Sequence, residues 1–472
     1  MKNYIWWFIS FWVFLIMSCI LWLDYINNIG PYFKNFFAGI EHNLFQEFLS
    51  ISVLVAILSF CGFNFGLWGI IGIFRLLQEK FSQSTLLTST NFRKKLSIDF
   101  LKTNLSVFDI AVIVPAHNEE LVIAKTINSL LSLISPVNIF VVSDGSVDKT
   151  AELARNFKVN VLELNKAHGK AGALKAGIER YALDKRFKIV LFVDADTVLP
   201  ADYIAKALPF FNDPEVVAIA GYARTIWDPS HQSLSQSYFI AHRELVYTLS
   251  QLLLKFGQSW RYANVATIIP GFASMYRSSI LEKIDLNPPG LVIEDFNMTF
   301  EVHHKRLGRI VHHPQVSGYT QDPDNFKDYF RQIKRWDLGF LQTLKLHGFW
   351  PSKFSVTLLL YVGEVILSSL ILIAAPLFLV VLPVLALIPS LQAEVISLLF
   401  LVIKIILFGL WLPNIIISFI VGLIKKRPQY FYFSPFFIFM KFIDSVAFLY
   451  MLPKAFLTNS SGHWTSPNRR VE

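Results

Sequence analysis

The sequence predicts an α/β domain inserted between transmembrane α-helices. Three observations support this architecture: apolar runs of membrane-spanning length lie near both ends, short β-branched runs alternate with amphipathic stretches in the middle, and a basic segment follows the N-terminal apolar region. Hydrophobic residues form 54% of the 472-residue chain and charged residues only 16%, whereas about a quarter of a soluble domain is charged. A protein with several membrane-spanning segments is therefore expected.

Two apolar runs near the start of the chain predict two transmembrane helices within residues 1–78. The first run, 6–23, carries tryptophans near its ends, as in an interfacial aromatic belt, and lacks the cleavage site of a signal peptide. The second run, 49–74, exceeds the roughly 20 residues needed to cross a bilayer. Basic residues in the predicted linker, 79–104, favour the cytosol under the positive-inside rule.

The segment 105–345 predicts a cytosolic domain with a parallel sheet. Short apolar runs at 111–115, 138–144, 159–164 and 188–194 are separated by amphipathic stretches of helical length. Strands that are covered on both faces have continuous apolar sequences rather than alternating ones. The pattern therefore indicates βαβ units with helices on both faces of the sheet.

Residues 346–455 predict about three interfacial and transmembrane helices. Their apolar runs are 355–388, 394–423 and 430–452. Lys441 and Asp444 must snorkel, pair or face a protein cavity, because charge in lipid is costly. The basic cluster 425–427 and the basic tail 456–472 both favour the cytosol, which leaves the number of crossings open by one.

Composition and motifs also indicate what the protein does not do. The net charge of +9 is explained by cytosolic loops of a membrane protein better than by nucleic-acid binding. Cys19 and Cys61 form neither a disulfide framework nor a zinc ligand set. No dinucleotide-binding glycine motif and no Walker sequence is present, and the histidine pairs at 303–304 and 312–313 have the character of surface or packing residues.

Three acidic motifs stand at predicted strand ends or at a helix start, which is where open α/β sheets bind ligands. Asp144 can accept hydrogen bonds from a nucleobase or ribose, although taken alone a plain strand-to-helix turn is the favoured explanation. Asp194 and Asp196 can share a hard cation, Mg²⁺ or Mn²⁺, that bridges to phosphate; a solvated turn is the alternative. Glu294 and Asp295 supply either a general base or acidic residues at a helix N-terminus.

A fourth motif, Gln332, Arg335 and Trp336, lies in a predicted basic helix. The guanidinium could clamp a diphosphate, and the indole could stack on a sugar ring. The alternative is an amphipathic helix on the membrane surface, with arginine and tryptophan as interfacial anchors.

In this order, the four motifs resemble the processive family 2 glycosyltransferases, which include the poly-N-acetylglucosamine, hyaluronan, chitin and cellulose synthases. Further matching stretches are VIVPAHNEE (112–120), SDGSVDKT (143–150), HGKAGALKAG (168–177), PGFASMYRSSIL (270–281) and IEDFNMT (293–299). The resemblance covers about residues 105–345, and the helix–domain–helix layout extends it to the whole chain. It implies a GT-A-type nucleotide-diphospho-sugar transferase domain.

The resemblance also implies a role for each motif. Asp144 would contact the uridine, Lys170 would line the donor site, and Asp194 with Asp196 would engage the diphosphate and its metal. Asp295, beside Glu294, would be the catalytic base. The residues implied to hold the donor diphosphate and the acceptor end are Gln332, Arg335 and Trp336.

Three further positions bear on the resemblance. Ile293 replaces a threonine that many relatives have, and Gln321 replaces an expected glutamate, which removes one charge near the site. Trp464, with Arg469 or Arg470, is similar to a short C-terminal element that some relatives fold over the active site.

The expected reaction is an inverting transfer from a UDP-sugar, with UDP-N-acetylglucosamine suggested by HGKAGAL, to a growing polysaccharide or lipid acceptor. Four polar residues could line an export path, and the alternatives are a chance lipid-facing position or pairing between helices: Asn64, Lys404, Lys441 and Asp444. Membrane lipids are expected partners, and an accessory export subunit could be another. The alternatives are a non-processive lipid glycosyltransferase and a transporter with an inactive sugar-binding domain.

Overall fold

The structure is a computed structural model that describes residues 62–88 and 105–458. The first predicted transmembrane run and the tail element around Trp464 lie outside the described residues. Two units are distinguished: one contains Ala375–Pro413, and the other contains Leu58–Ala374 together with Asn414–Glu472.

A seven-stranded sheet forms the centre of the larger unit, in the order β3-β2-β1-β4-β6-β5-β7. The strands are β1 Ile110–Ala116, β2 Ile139–Asp144, β3 Asn160–Leu164, β4 Ile189–Val193, β5 Val216–Thr225, β6 Ala273–Arg277 and β7 Arg309–Thr320. Strands β1 to β4 pair in parallel, as do β5 and β7. Strand β6 is antiparallel to both β4 and β5, so the sheet is mixed.

Helices cover both faces of this sheet. Those of the domain are Ile123–Leu131, Thr150–Asn156, Gly169–Tyr181, Leu183–Arg186, Tyr203–Ala207, Leu234–Tyr247, Phe256–Gln258, Ser278–Leu281, Glu294–His304 and Phe326–His347. A π-helical segment, Thr248–Lys255, joins two of them. Strand β1 shows why the sheet is covered twice: Val112 and Val114 enter one buried cluster, and Ile113 enters the other.

The four strands predicted from apolar runs are confirmed to within two residues. The predicted parallel pairing holds for β1 to β4, but the sheet as a whole is mixed, because β6 runs antiparallel to both of its neighbours. Strand β6 contains a serine and an arginine among its five residues, so it gives no continuous apolar run. Its close approach to β5 depends on Gly221, where a Cβ would overlap the carbonyl oxygen of Ala273. This contact between distant segments has no counterpart in local sequence.

The helix Phe63–Thr88 packs against the domain. Its residues Trp68 and Gly72 face the segment 248–258, and a Cβ on Gly257 would overlap the carbonyl oxygen of Trp68. Asn64 donates from its backbone and its side chain to Glu364, over 2.8 and 3.2 Å. Asn64 therefore joins two helices, in agreement with the alternative of pairing between helices. The helix also extends ten residues beyond the predicted boundary at 78.

Among the described residues, three helices are long and apolar enough to cross a membrane: Lys353–Leu385, Gln392–Lys425 and Tyr430–Leu457. The second consists of Gln392–Lys404, a π-helical segment Ile405–Trp411, and Leu412–Lys425. The third consists of Tyr430–Phe433, a 3-10 turn and Phe437–Leu457. Asp444 accepts a hydrogen bond from the hydroxyl of Tyr329 over 2.8 Å, so its carboxylate pairs with the domain.

Glycine at position 257 is required by the packing of the helix Phe63–Thr88. We expect Gly257→Ala to lower the free energy of unfolding by about 1–3 kcal/mol, because the new methyl overlaps the Trp68 carbonyl. Thermal melting of the purified chain in detergent measures this. The matched control is Gly66→Ala, because Gly66 is helical and a Cβ there would have nothing within 4 Å. Equal melting temperatures for the two variants would contradict the close packing at Gly257.

Candidate active site

A cavity of about 330 Å³ lies at the carboxyl end of β4 and beside the helices Glu294–His304 and Phe326–His347. It brings together eight of the nine residues singled out from the sequence: Lys170, Asp194, Asp196, Glu294, Asp295, Gln332, Arg335 and Trp336. Four separate segments of the chain therefore meet at one place. Their roles in binding and catalysis remain predictions.

Asp194 and Asp196 follow directly after β4, whose five residues are all buried and apolar. The backbone N–H of Asp194 donates to the Phe272 carbonyl over 2.9 Å, and the Ala195 carbonyl accepts from the Thr126 hydroxyl over 2.7 Å. These bonds fix the turn so that both carboxylates line the cavity. Burial raises the pKa of Asp194, an effect that the nearby Lys170 ammonium opposes.

Lys170 connects two of the acidic motifs. Its Nζ lies 2.7 Å from Asp194 Oδ1 and 2.7 Å from Glu294 Oε1. Burial alone would lower the pKa of Lys170, but the surrounding carboxylates raise it above its ordinary value. A Cβ on Gly271 would lie 2.6 Å from Nζ and 2.9 Å from Glu294 Oε1. Glycine at this position therefore leaves room for the ion-pair cluster.

Asp295 is held by backbone hydrogen bonds at the start of its helix. Its carboxylate accepts from the N–H groups of Gly271, over 3.2 Å, and Phe296, over 2.8 Å. Burial, and next the charge of Glu294, raise the pKa of Asp295 to about 6. A carboxylate with a pKa in this range can accept a proton near neutral pH. Glu294 is engaged by Lys170 instead, which makes Asp295 the better candidate base.

The motif residues Gln332, Arg335 and Trp336 lie on one face of the helix Phe326–His347, because they are three and four positions apart. A buried arginine from another helix, Arg243, supports two of them. Its Nη2 donates to Gln332 Oε1 over 2.7 Å, and its guanidinium carbon lies 4.7 Å from the Trp336 ring centroid. No local pattern signals this contact, because Arg243 belongs to no recognisable motif in its helix.

Asp144 is the one predicted site residue that does not line this cavity. Its carboxylate accepts from the backbone N–H of His168 over 2.7 Å, just before the helix that carries Lys170. Gly145 has φ +63°, and a Cβ there would lie 2.5 Å from the Ala167 nitrogen. Asp144 thus holds a tight turn beside the site, and its predicted contact with uridine remains a prediction.

Gln321, where a glutamate was expected, also lines the cavity. The adjacent Asp322 is buried and accepts from the Tyr247 hydroxyl over 3.0 Å. The Nε of Arg243 lies 3.9 Å from the same carboxylate. A negative charge is therefore retained one residue along the chain from the substitution.

The side chains that line the cavity supply only some of the ligands that a hard divalent cation needs. Among the described residues, no three His, Cys, Asp or Glu side chains are grouped to hold a metal. Asp194 and Asp196 supply carboxylate oxygens, the ligand type that Mg²⁺ and Mn²⁺ prefer, and Mg²⁺ usually completes its shell with water and phosphate oxygens. The two carboxylates thus suit a cation that arrives with a diphosphate.

The histidine pairs belong to the packing of the domain. Nε2 of His303 lies 2.9 Å from the Ala266 carbonyl oxygen, and burial lowers the pKa of His303 to about 4. Burial likewise lowers the pKa of His312, to about 3, and its Nδ1 lies 3.2 Å from the Ala220 carbonyl oxygen. Both imidazole rings are therefore neutral and hydrogen-bonded to backbone carbonyl groups.

The mixed α/β sheet with an acidic cavity at its edge is the architecture expected of a GT-A-type domain, and among the described residues it is followed by three helices that could span a membrane. Residues 111–284 match the family model described as Glycosyl transferase family 2. The chain therefore contains a segment that matches this family model, and the resemblance inferred from the motifs is confirmed.

Two curated relatives illustrate the likeness. The chain is 28% identical over 245 residues to the "Probable glycosyltransferase YdaM" of Bacillus subtilis, which covers 49% of this chain and 54% of the relative. It is 26% identical over 261 residues to a "Poly-beta-1,6-N-acetyl-D-glucosamine synthase" of Staphylococcus epidermidis, with 54% and 59% covered. The chain thus spans a little over half the length of these relatives.

Solved structures with similar folds include the mannosyltransferase PcManGT from Pyrobaculum calidifontis, in complex with GDP-Man and Mn²⁺. It has a TM-score of 0.43 and 19% identity, and the match covers 73% of this chain and 99% of the other. A structure of S. aureus TarS has a TM-score of 0.36 and 17% identity, with 73% and 90% covered.

Arg243 is expected to be a positioning residue for Gln332 and Trp336. We expect Arg243→Lys to lower kcat/KM about tenfold, because lysine keeps the charge but cannot both donate to Gln332 and stack on the indole. Sugar transfer by the purified variant measures this. Gln332→Ala in the Arg243→Lys background should then add less than it does in the wild type. Fully additive losses would contradict the positioning role.

Proposed function

We propose that this chain is an inverting membrane glycosyltransferase that moves a sugar from a nucleoside-diphosphate donor to an acceptor hydroxyl. One observation carries the proposal: the two aspartates after β4, the acids that open the helix Glu294–His304, and the Gln-x-x-Arg-Trp residues line a single cavity. Each of these motifs alone has an ordinary structural explanation. Their convergence within about 330 Å³ favours a shared chemical role.

Asp295 acts as the general base in this proposal. Its carboxylate takes the proton of the acceptor hydroxyl while the hydroxyl oxygen attacks the anomeric carbon. The bond between that carbon and the donor's diphosphate oxygen breaks, and the bonding electrons leave with the nucleoside diphosphate. A single displacement of this kind inverts the anomeric configuration, so an α-linked donor gives a β-linked product.

The departing diphosphate gains negative charge, which basic groups at the cavity must stabilise. Arg335 lines the cavity and can form paired hydrogen bonds with phosphate oxygens. Asp194 and Asp196 would hold the divalent cation, Mg²⁺ or Mn²⁺, which when bound neutralises charge on the leaving group. Trp336 offers an aromatic face to a sugar ring, held in place by Arg243.

We further propose that the acceptor is a growing β-linked polysaccharide and the donor UDP-N-acetylglucosamine. The HGKAGAL stretch and the similarity to poly-N-acetylglucosamine synthases support this choice. The three apolar helices and the basic segments support a multi-pass protein with a cytosolic catalytic domain and an export path for the product.

The donor and product are tested by incubating the purified full chain with a panel of UDP-sugars and either Mg²⁺ or Mn²⁺. We expect UDP release to be fastest with UDP-N-acetylglucosamine, and a ladder or high-mass smear on a gel. A single glycolipid product would identify a non-processive lipid glycosyltransferase instead. No UDP release from any donor would contradict the enzyme proposal and favour an inactive sugar-binding domain.

The base assignment predicts the effect of Asp295→Asn. Loss of a general base lowers the rate by about 10²–10⁴-fold, whereas the amide should leave UDP binding nearly unchanged. Turnover and UDP affinity are measured on the same preparation. Asp202→Asn is the matched control, because Asp202 is exposed and outside the cavity. Lost UDP binding together with residual turnover would show that the base lies elsewhere.

The raised pKa of Asp295 predicts the pH dependence of transfer. Because the base must be deprotonated, and its pKa is about 6, log kcat/KM should fall by about one for each pH unit below that value and level off above it. A profile between about pH 5 and 8 at constant metal concentration measures this. A flat profile across pH 6 would argue against Asp295 as the titrating base.

A further inference from the structure

A second cavity, of about 360 Å³, adjoins the candidate active site but is lined by different chemistry. It shares only Ala223 and Tyr247 with the first cavity. Four basic side chains line it, whereas Glu244 is its one carboxylate: the basic residues are Arg224, Lys425, Lys426 and Arg427. This concentration of positive charge, which we call the basic cavity, is not explained by the transfer reaction.

Of these four basic side chains, one is held by neighbouring groups, and the other three are not paired with a carboxylate of the described residues. Arg427 donates to the Trp227 carbonyl over 3.3 Å and lies 4.0 Å from Glu244. Within the described part of the chain, Arg224, Lys425 and Lys426 form no ion pair. The two cations nearest Tyr222, Arg224 and Lys425, lie 5.9 and 6.0 Å from its ring centroid. The cavity is therefore lined by more cationic than anionic side chains, and they lie near the aromatic ring of Tyr222.

Guanidinium and ammonium groups in this arrangement suit the oxygens of a phosphate. The cavity also lies at the end of a helix that could cross a membrane, Gln392–Lys425. An exposed apolar stripe leads along that helix to the basic cavity: Ile416, Phe419, Ile420, Leu423 and Ile424. These positions repeat every three or four residues, so they share one helix face.

A polar, cationic cavity at the end of an apolar stripe matches an amphiphile with a negatively charged head. We propose that the basic cavity binds the phosphate headgroup of an anionic membrane lipid, with its acyl chains along the stripe from Ile416 to Ile424. A soluble phosphate compound would use the cavity but not the stripe. The proposal does not depend on the transferase activity.

The test is equilibrium binding of dioctanoyl phosphatidylglycerol to the detergent-solubilised full chain, followed by native mass spectrometry. Because each basic side chain near an anionic lipid contributes about fivefold, the double variant Arg224→Gln, Lys425→Gln should bind about thirtyfold more weakly. The matched control is Lys454→Gln, an exposed lysine near the end of another candidate span, which should bind as the wild type does. Equal binding by the double variant would overturn the proposal.

Further measurements distinguish a lipid headgroup from a soluble phosphate compound as the ligand. Ile420→Ser with Ile424→Ser should weaken phosphatidylglycerol binding, and dioctanoyl phosphatidylcholine, which has no net charge, should bind weakly to the wild type. If inorganic phosphate displaces the lipid at equal concentration, the ligand is a soluble phosphate and the lipid assignment is wrong. Should the double variant fail to fold, the wild type decides: binding must weaken as salt is added, and salt-independent binding would contradict the cavity's role.

Discussion

The ion pairs of Lys170 are the interaction on which the candidate active site depends. One ammonium group lies 2.7 Å from carboxylates of two motifs that are about a hundred residues apart in sequence. Without it, the partly exposed Asp194 and the buried Glu294 would face each other as like charges, which is unfavourable. The lysine therefore allows the end of β4 and the start of the helix Glu294–His304 to meet, and Gly271 leaves the space for it.

Even with Lys170, the cavity carries an excess of acid. Five acidic side chains line it against three basic ones, Lys170, Lys255 and Arg335. Burial lowers the pKa of Lys255 to about 8, so it is a weaker counter-charge than an ordinary lysine. A diphosphate would be repelled by such a surface unless a cation came with it. The charge balance of this chain is thus a reason, independent of any relative, to expect a metal-bound donor.

The sequence identified the parts of the fold that are locally encoded. Strands β1, β2 and β4 are predictable because all of their residues are buried, so that each appears as an apolar run in the sequence. Strand β3 is partly exposed, but it still contains enough apolar residues to be recognised. The apolar pattern of strand β7 is interrupted by the buried His312 and His313 and by the exposed Gln315, and β6 depends on pairing between distant segments. Neither has a periodic pattern that distinguishes it from a loop.

The same division holds for the site. Asp194, Asp295 and Trp336 could be found because they occur in motifs at strand ends or on one helix face. Arg243 could not be found, because its role exists only where its helix crosses the helix Phe326–His347. Asp144 shows the opposite case: its motif is plain in the sequence, but its carboxylate is bonded to the His168 backbone outside the cavity. Motifs in the sequence thus locate the residues predicted to react, whereas the residues that hold them in place can be identified only from the structure.

The most direct measurement of the central claim is the affinity of the full chain for UDP, with Mn²⁺ and with a chelator, in the wild type and in Asp196→Ala. If the acidic cavity binds diphosphate through a cation, the wild type should bind UDP tightly only when Mn²⁺ is present. The variant should lose most of that dependence, because one of two carboxylate ligands is gone. Equally tight binding in the chelator, or an Asp196→Ala variant with unchanged metal dependence, would contradict the account.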